Sequence, residues 1–460
     1  MSESIGSSGT GMKLHTKILL GLLTGATLGV AANLTLGGQA PTVVWLNKYL
    51  AGPVGQIFLR MLFMVVVPLV FASIALGVAG LGDLRRVGRI GGKAIAYFLA
   101  TTAIAATLGL IGVNIVRPGL QLETGVRERL LETYAKDATS RVEAAATSNF
   151  GIETLVNFVP RNPVRAMVDL DLLGLIFFAF IFGAALTMIA TDRATPVVRF
   201  LEGVNDVVIK IVEFAMKLAP YGVTALIFGV TSRFGFDLLE PLASYVALVL
   251  VALIIHGVGV NSLILRTMMG LSPRLFFSRI RSSIITAFST SSSSATLPTN
   301  LAVIEKNLGV PPSIAGFVLP IGSTMCMNGT AMFEGITVLF LAQVFGVDLN
   351  LGQQVVVMVM AVLTAVGAAG VPGGSIPLLV GILAMFGIPP EGIAIVLGVD
   401  RILDMSRTTV NVIGDLCATT WVAKSEGVWS PAAIPPASAT LEATGGRDES
   451  PGNQHLTTSA

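Results

Sequence analysis

Ser289-Thr290-Ser291-Ser292-Ser293-Ser294-Ala295-Thr296-Leu297-Pro298 stands at the centre of an apolar stretch running from Leu275 to about Leu308. A second such stretch, from Gly352 to Gly387, is interrupted by Gly367-Ala368-Ala369-Gly370-Val371-Pro372-Gly373-Gly374-Ser375. Each flank holds about 13 residues, or roughly 20 Å of helix, which is too short to cross ~30 Å of hydrocarbon. A helix that enters the bilayer, turns at a Ser- or Gly-rich tip and returns on the same side fits both stretches. Non-helical backbone survives at membrane depth only where it is buried in protein or lines a cavity. The reading is therefore two re-entrant hairpins, 275–308 and 352–388. Between them, 311–346 is a helix broken by Pro320, Gly322 and Gly329. Alone, the serine run reads as a flexible linker. Two interrupted segments in corresponding positions of two half-repeats instead point to the binding site of a secondary transporter.

The rest of the chain supplies the membrane setting. Of 460 residues, 53% are hydrophobic and 12% charged, against about a quarter charged in a soluble domain. Apolar runs of spanning length occur around Ile18–Ala32, Leu59–Leu81, Ala94–Val116, Leu172–Ala190 and Leu238–Val260. The first follows Lys13 and Lys17 without a small-residue cleavage pattern, so it reads as a retained helix. Basic residues collect in alternate connections: Lys13 and Lys17; Arg85, Arg86, Arg89 and Lys93; Arg193 and Arg199; Arg266, Arg274, Arg279 and Arg281. By the positive-inside rule these are cytoplasmic, and so are both termini. The organisation expected is a tail over 1–12, six helices over 13–270 with an outside connection at about 118–163, and a core over 271–425. That core ends in an eighth helix, about 391–425, and 426–460 reads as a disordered cytoplasmic tail. A net charge of +2 argues for no nucleic-acid partner, and two cysteines offer no disulfide framework. Three histidines lack metal-ligand spacing; His256, in the sixth span, reads as a hydrogen-bonded helix residue.

The strongest local signal is Asp400-Arg401-Ile402-Leu403-Asp404-Met405-Ser406-Arg407-Thr408-Thr409-Val410-Asn411-Val412-Ile413-Gly414-Asp415. At about 100° per residue, Asp400, Asp404, Arg407, Asn411 and Asp415 fall within an arc of roughly 80°. One ionisable group at mid-bilayer costs on the order of 2.5–3.5 kcal/mol, so four on one stripe must face one another, a cavity or a ligand. An ion-pair network that only joins helices is one reading. In the other, Arg407 offers a planar fork for a carboxylate, and Asp404 suits an ammonium group. Asn411 and Asp415 supply oxygens of the kind a hard cation takes. An acidic amino acid carries the complementary groups.

With these residues in view, the chain resembles the dicarboxylate/amino acid:cation symporters, which include bacterial glutamate and aspartate transporters and the mammalian excitatory amino-acid transporters. The resemblance runs from about Lys13 to Lys424. Its markers are Ser292-Ser293-Ser294-Ala295-Thr296-Leu297-Pro298, Met327-Asn328-Gly329-Thr330, Gly370-Val371-Pro372-Gly373 and the last-helix block. It implies an all-α integral membrane fold of the bacterial inner membrane, with eight transmembrane helices, two re-entrant helical hairpins and inverted repeats. It further implies a homotrimer in which each protomer moves its own transport domain past a scaffold, elevator fashion. Residues 13–270 would then hold the scaffold and the peripheral transport-domain helices. By the same resemblance Arg407 binds a side-chain carboxylate and Asp404 an amino group. Asn411, Thr408 and Thr330, with backbone from Ser292, Ser293, Val371 and Ser375, hold the other carboxylate and close the site. Asp415, Asn411 and Gly322 form one sodium site; backbone carbonyls of Thr324, Ala365, Val366 and Ala368 form a second. No cofactor is implied beyond the coupling cation, sodium or proton.

Several positions depart from that pattern. Where the family often reads Asn-Met-Asp-Gly-Thr, this chain has Cys326-Met327-Asn328-Gly329-Thr330. A neutral amide does not compensate a buried cation, which argues against a third sodium site around Thr101, Thr102 and Asn328. An arginine common in the first hairpin tip or after the last-helix aspartate is replaced by Ser291 and Met405, with Arg401 one turn earlier. Glu334 occupies the position of a proton-binding glutamate in mammalian members, and burial favours the proton-carrying form of a carboxyl. The expectation is a symporter for glutamate or aspartate driven by sodium or protons, with a C4-dicarboxylate such as succinate, malate or fumarate as the alternative substrate. An enzyme is disfavoured, because no histidine or lysine adjoins Ser291–Ser294 to act as base. A channel is compatible with re-entrant loops.

Overall fold

The structure, a computed structural model, describes residues 14–80, 89–122, 159–168, 172–235, 239–366, 368, 370 and 372–435. The expected tail over 1–12, most of the outside connection and the chain beyond 435 lie outside the described residues, as does Val371. What is described is helical throughout, with no strand. Among the described residues, six runs are long and apolar enough to cross a membrane: Thr16–Leu36, Pro41–Leu76, Arg89–Gln121, Thr191–Phe234, Glu240–Met269 and Pro312–Phe345. Within the last of these, residues 325–342 are all buried, which marks that part as the axis of the core.

The N-terminal helices are α1 (Leu14–Leu36), α2 (Gly52–Phe63), α3 (Val66–Gly80), α4 (Arg89–Val116), α5 (Leu172–Met188), α6 (Thr191–Phe234) and α7 (Leu239–Ile254). α1 and α2 pack on α6, and α5 packs on α3. At 1.5 Å per residue α6 is roughly 66 Å long, about twice the hydrocarbon thickness. Arg193 and Arg199, expected in a connection, therefore ride on its first turns. α4 and α7 belong with the C-terminal half, since both pack on the helix that follows the break at residue 327.

The C-terminal half contains α8 (Arg281–Thr290), α9 (Ser293–Lys306), α10 (Pro312–Met325), α11 (Asn328–Phe345), α12 (Leu351–Val366), α13 (Ile376–Met385) and α14 (Asp400–Ser425). α8 and α9 pack side by side around a tip at Ser291–Ser292, and α12 and α13 do the same around residues 368–375. Both helix–tip–helix units fall where the sequence interrupts its apolar stretches. Ser291 ends α8 with φ 52°, a left-handed conformation that costs an L-residue roughly 1–2 kcal/mol. The run 311–346 is broken at Cys326–Met327, so α10 and α11 present their facing ends to one another. The eighth helix is itself interrupted: a turn at Pro390–Ile393 and a short helix Ala394–Leu397 precede α14.

Two expectations change here. His256 lies wholly buried in a π-helical turn, Ile255–Val260, and neither ring nitrogen has a hydrogen-bond partner. The hydrogen bond expected from its type therefore does not form. Residues 426–435, assigned from composition to the tail, pack on the core. Trp429 is buried and its Nε1 donates to the Leu308 carbonyl at 2.7 Å, while Arg279 Nη2 donates to the Pro435 carbonyl at 2.5 Å. Proline-rich composition signalled a loss of helix, but an indole with a carbonyl in reach is enough to anchor an irregular segment.

Candidate functional site

α14 brings its ionisable stripe to the centre of the molecule, and every member is buried. Arg407 holds Asp400 through Nη1 at 2.7 Å and Asp404 through Nη2 at 2.9 Å. Its guanidinium lies 4.2 Å above the Phe333 ring of α11, a cation–π contact. Asp404 also accepts from the Gly373 backbone N at 3.2 Å and sits 3.5 Å from Arg401 Nη1. Two acids and two bases thus balance within two turns of helix. Burial of such charges is tolerable because each lies against an opposite charge; removal of one partner from a buried pair costs about 3–5 kcal/mol.

A cavity opens beside this cluster. The two tips contribute Ser291, Ser293, Ala368, Gly370, Gly374 and Ser375; α11 and α14, with the break before α11, contribute Met327, Thr330, Asp404, Arg407, Thr408 and Asn411. The space free of atoms is about 280 Å³, of which water-sized molecules can centre themselves in only about 20 Å³. That is room for a water or two, so a larger solute requires the walls to part. The walls are held by few bonds: Ser292 Oγ donates to the Gly370 carbonyl at 2.6 Å, and Ser294 N donates to the same oxygen at 3.3 Å. Ser292 also caps α9 by accepting from Ala295 N at 3.1 Å.

Of the expected substrate residues, Arg407, Asp404, Thr330, Asn411, Thr408, Ser293 and Ser375 line this one cavity. Ser292 instead clasps the tips together. Asn411 is committed locally: its Oδ1 accepts from Gly329 N at 2.7 Å and Thr330 N at 3.4 Å, and its Nδ2 donates to Thr330 Oγ1 at 3.0 Å. It thereby satisfies the free N–H groups at the start of α11, which sequence spacing gave no reason to expect. Gly329 permits the approach, since a β-carbon there would strike the Arg407 backbone oxygen.

Asp415 differs from its neighbours. It is buried, and neither carboxylate oxygen has a hydrogen-bond donor. Gly322 of α10 lies against it so closely that a β-carbon would run into the carboxylate. Among the candidate carbonyls of the second set, Ala365 accepts from Ala368 N at 3.0 Å, and the Thr324 hydroxyl donates to Ile321 O at 3.0 Å. Around the third, Asn328 Oδ1 accepts from Thr102 Oγ1 at 2.8 Å and Thr101 Oγ1 at 3.3 Å. The amide is therefore engaged by the two hydroxyls expected beside it. Glu334, wholly buried on α11, accepts from Thr364 Oγ1 of α12 at 2.7 Å through Oε2, while Oε1 has no partner.

The site also holds residues to which sequence gave no role. Asp400 was placed on the stripe but without a function, although seven residues separate it from Arg407 and two turns return it to the same face. Phe333 and Thr364 carried no signal, because an aromatic or a threonine in an apolar helix is ordinary.

Comparison with known proteins agrees with the extent of this architecture. The family described as Sodium:dicarboxylate symporter matches residues 14–425. The chain is 38% identical over 421 residues to a proton/sodium-glutamate symport protein of Bacillus subtilis (strain 168), covering 91% of this chain and 94% of that protein. It is 35% identical over 406 residues to a proton/glutamate-aspartate symporter of Escherichia coli (strain K12), covering 88% and 92%. A C4-dicarboxylate transport protein of Bacillus subtilis (strain 168) is 34% identical over 418 residues, covering 90% and 95%. The match spans the broken helix, both tips and the charged stripe, and the chain belongs to the sodium:dicarboxylate symporter family.

Proposed function

We propose that this protein is a symporter of acidic amino acids, with Arg407 and Asp404 gripping the substrate from opposite sides. The observation that carries the reading is the Arg407–Asp404 pair on the wall of a cavity closed by the two tips. A free amino acid of the aspartate type presents a carboxylate to Arg407 and an ammonium to Asp404, so it replaces each half of the pair with an equivalent charge. Thr330, Thr408, Ser293 and Ser375 add polar groups for the second carboxylate, with backbone at Val371 and Ser292 closing over it. Neutral amino acids leave Arg407 without a carboxylate to exchange for Asp404.

The coupling cations follow from charge. Asp400, Arg401, Asp404 and Arg407 sum to zero, which leaves Asp415 as a buried carboxylate with no donor. One monovalent cation between Asp415 and the backbone around Gly322 neutralises it, and the substrate's own net negative charge calls for a second. Carbonyls near Thr324, Ala365, Val366 and Ala368 would take a sodium ion; Glu334 would take a proton instead.

Eight crossings, re-entrant hairpins, cytoplasmic termini and elevator movement in the bacterial inner membrane are part of the same proposal. So is a homotrimer: Phe200, Val207, Phe214 and Tyr221 recur every seven residues on α6 and are 58–69% exposed, an apolar seam suited to another copy of the chain.

Arg401 beside Asp404 favours one second reading. It adds positive charge where a dicarboxylate places its other carboxylate, as C4-dicarboxylate transport would need. Uptake of labelled aspartate into proteoliposomes, competed by glutamate, succinate and serine under separate sodium and proton gradients, tests both. Competition by glutamate but not succinate supports the amino-acid reading; the reverse supports the dicarboxylate. Competition by serine alone defeats each of them.

A further inference from the structure

Arg407 is held by carboxylates at its edge and by the Phe333 ring on its face, and the helix that carries that ring is itself contacted by α7. α7 brings Tyr245 to α11, where its hydroxyl lies 2.8 Å from Thr337 Oγ1. Thr337 sits one turn beyond Phe333, and its only hydroxyl hydrogen is directed to the Phe333 carbonyl at 2.7 Å. Thr337 must then accept, and Tyr245 must donate. The result is a directed chain from Tyr245 through Thr337 to the backbone of Phe333. The phenol ring is fixed laterally, stacked on Phe340 with centroids 4.5 Å apart. Tyr245 is wholly buried, as is Thr337. A phenylalanine would fill the same space without the cost of burying a hydroxyl, so the oxygen has a use.

We propose that Tyr245, acting through Thr337, is a positioning residue for substrate recognition: it fixes the face of α11 on which the Arg407 guanidinium rests, and so sets the plane in which Arg407 meets a carboxylate. The inference depends on the reading of Arg407 as the carboxylate-binding group. A guanidinium pairs with a carboxylate through two parallel hydrogen bonds only when the two planes coincide. A tilt of the supporting ring turns two bonds into one. Loss of one hydrogen bond to a charged group corresponds to roughly tenfold in affinity.

The test is uptake of labelled aspartate by proteoliposomes holding the parent, Tyr245→Phe, Thr337→Val, the double variant, Thr337→Ser and Arg407→Ala. Tyr245→Phe keeps the ring stack and is expected to raise KM about tenfold while the maximal rate changes by less than about twofold. Thr337→Val should do the same, and the double variant should be no worse than either alone, because the two act in one chain. Thr337→Ser should restore the parent KM. An unchanged KM in Tyr245→Phe overturns the proposal, as do effects that multiply in the double variant. A fall in maximal rate and thermal stability at constant KM reduces Tyr245 to a structural role and also overturns it. If Arg407→Ala takes up aspartate like the parent, the reading of the site itself fails and the inference falls with it.

Discussion

Arg407 Nη2 and Asp404 Oδ1, one helical turn apart on α14, meet at 2.9 Å, so the two charges neutralise each other. On the proposed reading, entry of an acidic amino acid would be an exchange of partners. The ammonium would take Asp404 and the carboxylate would take Arg407, so each charge would trade one partner for another. Asp400 holds the other edge of the guanidinium at 2.7 Å, a contact that would keep the fork oriented if its partner changed.

Asp404→Asn separates the two ends of that exchange. The amide keeps the shape but leaves Arg407 and Arg401 facing one remaining acid, and it offers an ammonium group no charge. Aspartate uptake should lose about 10–100-fold in apparent affinity, the worth of one charged hydrogen bond. Succinate inhibition should weaken less, or strengthen. Uptake kinetics with both compounds check this; equal loss for both contradicts the assignment of Asp404 to the ammonium.

The two interruptions of the apolar stretches and the charged stripe were legible in the sequence because each breaks a rule of membrane composition. A run of hydroxyl residues at 289–294 and charges at 400–415 are out of place in an apolar run that faces lipid. What escaped were interactions made by residues of ordinary type. Asn411 read as a cation ligand, yet it caps α11 through Gly329 and Thr330, because a helix that starts inside the protein leaves N–H groups that need an acceptor. Tyr245 sits in a span whose composition is merely hydrophobic, and only the approach of α7 to α11 gives its hydroxyl a partner. The ordered segment 426–435 was hidden for the converse reason: its composition fits disorder, and one indole overrides it.

Asp415→Asn should weaken the binding of the coupling cation. The carboxylate has no donor of its own, so a cation is its natural partner, and an amide of equal size binds that cation far less tightly. Gly322→Ala makes the complementary test, since its methyl group would run into the carboxylate. Both variants should raise the sodium concentration for half-maximal aspartate uptake by at least about tenfold, the worth of a single strong electrostatic contact. A sodium dependence like the parent's in Asp415→Asn removes this site from the coupling scheme.

Glu334→Gln addresses the proton. The Thr364 hydroxyl donates to one oxygen of Glu334, while the other has no partner, and no cation is paired with the group. A glutamine retains an acceptor for Thr364 and mimics the proton-carrying form permanently. Aspartate binding should persist in the variant, whereas uptake driven by an inward proton gradient should fall to the level seen without one. Parent-like stimulation by a proton gradient in Glu334→Gln shows that the driving proton rides elsewhere.

Just past the C-terminal end of α14, Glu426 joins that helix to the start of α4. Arg89 Nη2 lies 2.5 Å from one carboxylate oxygen and Lys93 Nζ 2.6 Å from the other. The hydrogen bonds from Arg89, and then from Lys93, hold the Glu426 carboxyl below its ordinary value. A depressed value in the folded protein means that the contribution is complete above the unfolded value, about 4.3, and disappears as pH falls through the folded one. In detergent solution, Glu426→Gln should therefore lower the unfolding temperature at pH 7 and at pH 5 by the same small amount. The gap should close as the pH drops below about 4, and high salt should shrink it at any pH, since Arg89 is largely exposed. A difference that widens on acidification would mean that the carboxylate is not what joins α4 to α14.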